Sequence, residues 1–273
     1  MKICIVGLGL IGGSLAKAAK KYTEHRIIGI DTDKDVAALA ISQGAVDEIA
    51  DSPEAADLTF VCLYPEQTIR FINSAVFKKN STVADVCGVK RYIIDHTEDN
   101  LAKRGVRFVG THPMAGREFS GFEYSSETLW RGASFIIAET ENSDIRSVNL
   151  LSDFATSIGF ERVVKTTPED HDRVIAYTSQ LAHIVSSAYI KSPSQSEQAG
   201  FSAGSYKDLT RVAKLNADMW TPLFLSNKNA LTYEIGEIIA HLEEYKKAIK
   251  NGETDKLHQL LVDGTILKER DEN

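Results

Sequence analysis

The sequence predicts a doubly wound, mostly parallel α/β sheet followed by an all-helical C-terminal domain, and three observations carry the prediction. Up to about residue 165, short apolar runs alternate with amphipathic stretches. The runs are apolar throughout rather than at every second position, as strands are when helices cover both faces of a sheet. Beyond residue 165 the runs stop and helical spacing takes over. Domains are accordingly expected at 1–165 and 166–273.

In chain order, strands are expected at 2–6, 26–30, 58–63, 82–86, 106–110, 134–138 and 162–165. The helical patterns between them lie near 14–21, 33–43, 66–77, 91–104 and 143–158. Asp33 is suited to cap the second of these, and Gly44 stands where a C-terminal glycine belongs. Thr167-Pro168-Glu169 reads as a helix start, with a capping hydroxyl and a proline in the first turn. A long helix is expected over 170–190, a polar break at 192–198, and further helices over 206–215 and from 218 onward. Leu231, Ile235, Ile238, Leu242, Tyr245 and Ile249 recur at spacings of three and four, which places them on one stripe. Such a stripe packs on its own domain or on a second subunit, and the sequence favours neither. Tyr177, Tyr189 and Trp220 read as core.

Composition narrows the function. Hydrophobic residues make up 43% of the 273 and charged residues 25%, as in a folded globular chain. The formal net charge is -7, from 31 Lys+Arg against 38 Asp+Glu, and no basic run interleaves with aromatics. A nucleic-acid groove is therefore not expected. Cys4 and Cys62 sit inside apolar runs, where a free thiol acts as a small hydrophobe, and Cys87 leaves the number odd. That usage suits a reducing cytoplasm better than a disulfide framework. The apolar run behind Met1-Lys2 is broken by Gly7, Gly9, Gly12 and Gly13, which suits a strand, turn and helix rather than a leader. It also falls short of the roughly 20 apolar residues a membrane span needs.

Gly7-Leu8-Gly9-Leu10-Ile11-Gly12 follows the first strand and opens a helix. Gly7 permits the tight turn, Gly9 lets a pyrophosphate approach the backbone, and Gly12 lets the helix pack on the strand. The phosphates would then meet the unpaired N–H groups where Leu10 and Ile11 begin the helix. Asp31 ends the second strand, 19 residues beyond Gly12. A carboxylate there accepts from the ribose hydroxyls and repels a 2′-phosphate, so a Rossmann-type site for NAD rather than NADP is expected. The bland reading of Asp31 is a cap or a surface acid.

Two segments should open onto the other end of that crevice: Asp85-Val86-Cys87-Gly88-Val89-Lys90, and Gly110-Thr111-His112-Pro113-Met114-Ala115-Gly116-Arg117-Glu118. His112 is expected just past a buried strand, on a turn stiffened by Pro113. An imidazole there could accept a proton from a substrate hydroxyl while hydride leaves the same carbon. A lone loop histidine is more often a surface residue.

With Gly7 to Ser14 (GLGLIGGS), DVCGVK at 85–90 and GTHPMAGRE at 110–118 come His171-Asp172, the run 179–183 (SQLAH) and 206–211 (YKDLTR). In this order the segments resemble the prephenate dehydrogenase family over nearly the whole chain, and the GTHPMAGRE and YKDLTR segments are the specific ones. The resemblance implies NAD-dependent oxidative decarboxylation of prephenate to 4-hydroxyphenylpyruvate in tyrosine biosynthesis. It implies His112 as the catalytic histidine, His183 as a pocket-lining helix histidine, and Arg211 as the ligand of a substrate carboxylate. Glu118 resembles an acid at the pocket edge, and Lys207 and Asp208 belong to the arginine's supporting segment. Some members carry serine where Gly88 stands, so that contact is lost here or supplied by backbone or water. His171 is expected to support the start of its helix. A homodimer through the C-terminal helices is implied too.

The residue types suit the reaction. Hydride leaves C4 of a cyclohexadiene as the ring carboxylate departs as carbon dioxide, and the new aromatic ring supplies the driving force. The protein has to orient the ring, take the hydroxyl proton and hold the anion. A planar guanidinium binds a carboxylate through two parallel bonds, as lysine cannot. The residues alone leave a solvated helix face open for Arg211, and a satisfied core histidine equally open for His183. Arogenate, with an amino acid side chain in place of the keto acid, is the alternative substrate. A 3-hydroxyacid dehydrogenase would place a lysine on the helix at 170–190, which has none. A non-catalytic NAD-binding redox sensor would explain residues 7–31 but not His112, His183 and Arg211 together.

Overall fold

The computed structural model describes residues 1–116 and 119–271, so Glu118 lies outside the described residues. The elements run β1 (Lys2–Val6), α1 (Leu10–Tyr22), β2 (Arg26–Ile30), α2 (Lys34–Ser42), β3 (Glu48–Ile49), β4 (Leu58–Val61), α3 (Pro65–Ser74) and β5 (Thr82–Asp85). They continue with α4 (Arg91–Lys103), β6 (Arg107–Pro113), β7 (Ser134–Ala138), α5 (Ile145–Ser157), β8 (Arg162–Thr166) and α6 (Pro168–Ile175). A π-helical turn (Ala176–Leu181) leads into α7 (Ala182–Tyr189), followed by α8 (Gly204–Thr210), α9 (Ala217–Ser226), α10 (Lys228–Asn251) and α11 (Thr254–Asp271).

The strands form one sheet in the order β3-β2-β1-β4-β5-β6-β7-β8. Each neighbouring pair is parallel except β6 with β7. Neighbouring residues of one strand feed opposite faces: Ile3 and Ile5 pack with Leu15, Phe60 and Phe154, whereas Cys4 and Val6 pack with Ile72, Val83 and Ile93. Both faces are dry, which is why the strand runs are apolar at every position. Each fully buried isoleucine contributes about 1.5–3 kcal/mol relative to exposure. Asp33 caps α2 by accepting from the Asp35 and Val36 N–H groups at 2.9 and 3.2 Å, and Gly44 follows the helix at φ +66°.

The chain divides into two compact units. The first holds Met1–Ile175 and Leu215–Asn227, the second Ala176–Lys214 and Lys228–Asn273. The sequence places the boundary at 165/166, but α6 and α9 group with the sheet. The cause is a set of bonds on Asp172: its carboxylate accepts from Lys90 N (2.7 Å) and Arg91 N (2.9 Å), and its carbonyl from Asn227 Nδ2 (2.8 Å). Thr167 caps α6 as expected, its hydroxyl accepting from Asp170 N at 3.1 Å.

Within the second unit, α10 packs against the π-helical turn and against α11, where Tyr245 Oη donates to Leu260 O at 3.0 Å. The α10 stripe is divided: Leu231 is buried, whereas Leu242 and Ile249 are 60% and 63% exposed. Tyr177 and Tyr189 are exposed rather than core, since the helical run that carries them has one face on α10 and α8 and leaves the other open. No helix of the described residues is long and apolar enough to cross a membrane.

Candidate active site

At the start of α1 the glycines meet separate demands. Gly7 has φ +84°, and its N–H donates to Ile30 O at 2.8 Å. A Cβ on it would lie 2.6 Å from Cys62 O. A Cβ on Gly12 would lie 1.9 Å from Gly7 O, whereas one on Gly9 would meet nothing within 4 Å. The backbone is thus close-packed at the first and third glycines and open at the second, as a cradle for pyrophosphate must be. Leu10 and Ile11 open the helix beside it. Asp31 fastens this turn to the end of β2: Oδ2 accepts from Leu8 N (2.7 Å) and Oδ1 from Asp33 N (2.9 Å). Each oxygen keeps a further lone pair for a ribose hydroxyl. These residues fit a bound dinucleotide.

The second constellation lies at the ends of β5 and β6. His112 is expected past its strand, but β6 runs on through Pro113. Antiparallel β7 extends it, pairing His112 with Ile136 and Pro113 with Phe135, so the imidazole stands on sheet rather than on a turn. His112 is half-buried, and its Nδ1 lies 2.9 Å from His171 Nε2. His171 Nδ1 in turn lies 2.7 Å from Asp172 Oδ1. A Cβ on Gly88 would lie 3.9 Å from His112 Nε2 and 3.7 Å from Leu223, so the glycine leaves open space at the imidazole's outer nitrogen. Beneath the site Lys90 and Asp85, both fully buried, form an ion pair. Lys90 Nζ also donates to Thr111 O at 2.6 Å, and Asp85 Oδ2 accepts from Cys87 N at 2.9 Å.

Burial pushes the His112 pKa well below the usual histidine value, with His171 and the Lys90 ammonium acting the same way. Burial also lowers His171, although its bond to the Asp172 carboxylate opposes the shift. Both rings are therefore neutral at pH 7. A neutral imidazole with an open nitrogen can accept a proton.

Among the sequence candidates, His112 and Gly88 come together, and Gly7, Gly9, Leu10, Ile11, Gly12 and Asp31 form one turn. His183, Lys207, Asp208 and Arg211 belong to the second unit. His183 is half-buried on α7, its Nδ1–H donating to Ser179 O at 2.8 Å. Lys207 and Asp208 are exposed on α8, and exposed Arg211 terminates that helix. The sequence reading misses the Lys90–Asp85 pair and gives His171 only a helix-start role. The adjacent His171-Asp172 pair is the one signal that could have found the contact with His112.

A sheet in the order 3-2-1-4-5-6, a glycine turn on its first strand and a neutral imidazole at a strand end define a dinucleotide-dependent oxidoreductase. Residues 15–164 match the family profile described as prephenate dehydrogenase, nucleotide-binding domain, and residues 167–263 match its dimerization domain. The chain belongs to the prephenate dehydrogenase family. Prephenate dehydrogenase from Bacillus subtilis is 31% identical over 270 residues, spanning 93% of this chain and 72% of that protein. The crystal structure of prephenate dehydrogenase from A. aeolicus, in complex with hydroxyphenyl propionate and NAD+, matches with a TM-score of 0.89 and 28% identity, covering 99% and 98% of the two chains. Synechocystis arogenate dehydrogenase matches at 0.84 and 26% identity, covering 100% and 99%.

Proposed function

We propose that this enzyme catalyses the oxidative decarboxylation of prephenate to 4-hydroxyphenylpyruvate with NAD, with His112 as the base. The observation that carries the reading is the His112 imidazole, held neutral at the end of β6 with its Nε2 on the open side of Gly88. That nitrogen takes the hydrogen bond, and then the proton, of the ring hydroxyl as hydride leaves C4. It returns the proton to the oxygen once carbon dioxide departs and the ring is aromatic, since the product keeps its hydroxyl. When bound, NAD supplies the hydride acceptor. Gly9, Leu10 and Ile11 receive its pyrophosphate, Gly7 and Gly12 shape the turn, and Asp31 receives the ribose hydroxyls. Gly88 lets the ring approach, with backbone or water in place of a serine contact.

Arg211 is assigned a substrate carboxylate, supported by Lys207 and Asp208, and His183 a place lining the substrate pocket. Glu118 is assigned the pocket edge on sequence grounds alone. Arg211→Ala is expected to raise KM for prephenate about tenfold or more, the scale of a lost charge-assisted pair, while NAD affinity stays as it was. Equal weakening of both in a titration would instead report a folding defect.

Arogenate is the second reading, favoured by the full-length likeness to an arogenate dehydrogenase. The deciding experiment follows NADH formation with prephenate and with arogenate, with NADP in parallel. Prephenate with NAD is expected to be the fastest combination. Activity with arogenate alone would keep the mechanism and correct the substrate, and faster turnover with NADP would remove the role given to Asp31. NAD binding with no turnover of either substrate would favour the sensor reading.

The C-terminal helices are assigned a homodimer interface through the exposed apolar residues of α10 and α11, including Leu242, Ile249, Leu261 and Leu267. Leucine and isoleucine exposed in such number on two adjacent helices suit a covered face. Sedimentation at micromolar concentration is expected to give a dimer; a monomer would remove the assignment.

A further inference from the structure

Asp172 is anchored more firmly than a helix-start residue requires. Its Oδ1 accepts from Lys90 N and its Oδ2 from Arg91 N, at the head of α4. Both oxygens are thus occupied as acceptors, so the proton in the 2.7 Å contact with His171 sits on Nδ1 of the imidazole. In a neutral ring, Nε2 of His171 is then an acceptor. Its partner at 2.9 Å, Nδ1 of His112, must be the donor. The remaining nitrogen of His112, Nε2, is left with a lone pair on the side of Gly88.

We propose that Asp172 and His171 are positioning residues that lock His112 in the tautomer able to accept the substrate's hydroxyl proton, an inference that rests on His112 being the base. The direction of the chain matters. If His171 gained a second proton, its Nε2–H would face Nδ1 of His112 and push the His112 proton onto Nε2, where it would block the base. The groups facing the imidazole pair are Asp172 from α6 and, from the β5 end, Lys90 and Asp85. Burial and Lys90 disfavour that second proton, and the carboxylates favour it.

Two substitutions separate positioning from simple support. The amide of His171→Asn can still reach Asp172 but offers nothing to Nδ1 of His112. The longer amide of His171→Gln can place an oxygen where Nε2 stood. His171→Asn is expected to lower kcat roughly 10–100-fold, the scale on which an orienting partner of a histidine acts. KM for prephenate and NADH binding stay near wild type, and His171→Gln recovers most of the loss. Without the Nε2 acceptor of His171 the protonated form of His112 loses its partner on Nδ1, so the acid limb of kcat/KM moves to lower pH. Adding His171→Asn to His112→Asn should cost nothing more.

Wild-type kcat and an unmoved acid limb in both His171 variants, with His112→Asn inactive, would overturn the relay. An active His112→Asn would overturn the base assignment beneath it. Should the variants fail to bind NADH, histidine 15N NMR of the unaltered enzyme decides: Nδ1–H on His112 supports the relay, and Nε2–H overturns it.

Discussion

His112→Asn is expected to lower kcat by roughly 10²–10⁴ with little change in KM for prephenate, the loss that follows removal of a general base. Asparagine preserves polarity and much of the volume, so the end of β6 and its pairing with Ile136 should persist. What it lacks is a nitrogen that can take a full proton as the hydride departs. The loss corresponds to about 3–5 kcal/mol in the barrier. Residual turnover is expected, because aromatisation of the ring drives the reaction whether or not a base is present. Steady-state kinetics with both substrates varied tests this, and turnover near the wild-type rate would exclude His112 as the base.

Lys90→Met is expected to destabilise the sheet unit by about 3–5 kcal/mol, the cost of leaving one member of a buried ion pair uncompensated. Lys90 and Asp85 are both inaccessible. Without the ammonium, the Asp85 carboxylate keeps no charged donor, the Cys87 N–H still donating to Oδ2, and among the described residues Oδ1 has no hydrogen-bond partner. Thr111 O loses its donor as well. At ~2–4 °C per kcal/mol for a chain of this size, the melting temperature should fall by about 10 °C. Asp85→Asn combined with Lys90→Met should be more stable than Lys90→Met alone, since it removes the stranded charge. If the double variant melts lower still, the pair is not the source of the effect.

The sheet was legible because burial on two faces leaves an unmistakable mark in the sequence. β1, β2 and β7 fall at 2–6, 26–30 and 134–138, as the apolar runs require. β3, with two residues, is too short to show any periodicity. The extension of β6 through Pro113 depends on a strand that arrives from residue 134 onward, and no local rule contains that pairing. The return of α9 to the sheet unit is likewise non-local, as is the bond from Asn227 to Asp172. At the site, the glycine spacing with its flanking strand, helix and Asp31 identified the turn at 7–12, because only glycine tolerates the contacts a Cβ would make at positions 7 and 12. The sequence places Lys90 in the 85–90 segment at the crevice and gives its side chain no role. Nothing along the chain shows that its side chain turns inward to Asp85 and Thr111.

The antiparallel pairing of β6 with β7 also bears on how the gene can change length. Strand side chains alternate between faces, so a single codon inserted between positions 107 and 112 would turn His112 to the opposite side of the sheet. The stretch between Pro113 and Ser134 has no such restriction, provided that His112 still meets Ile136. Length differences among descendants of this sequence should therefore collect after Pro113 and avoid the strand itself.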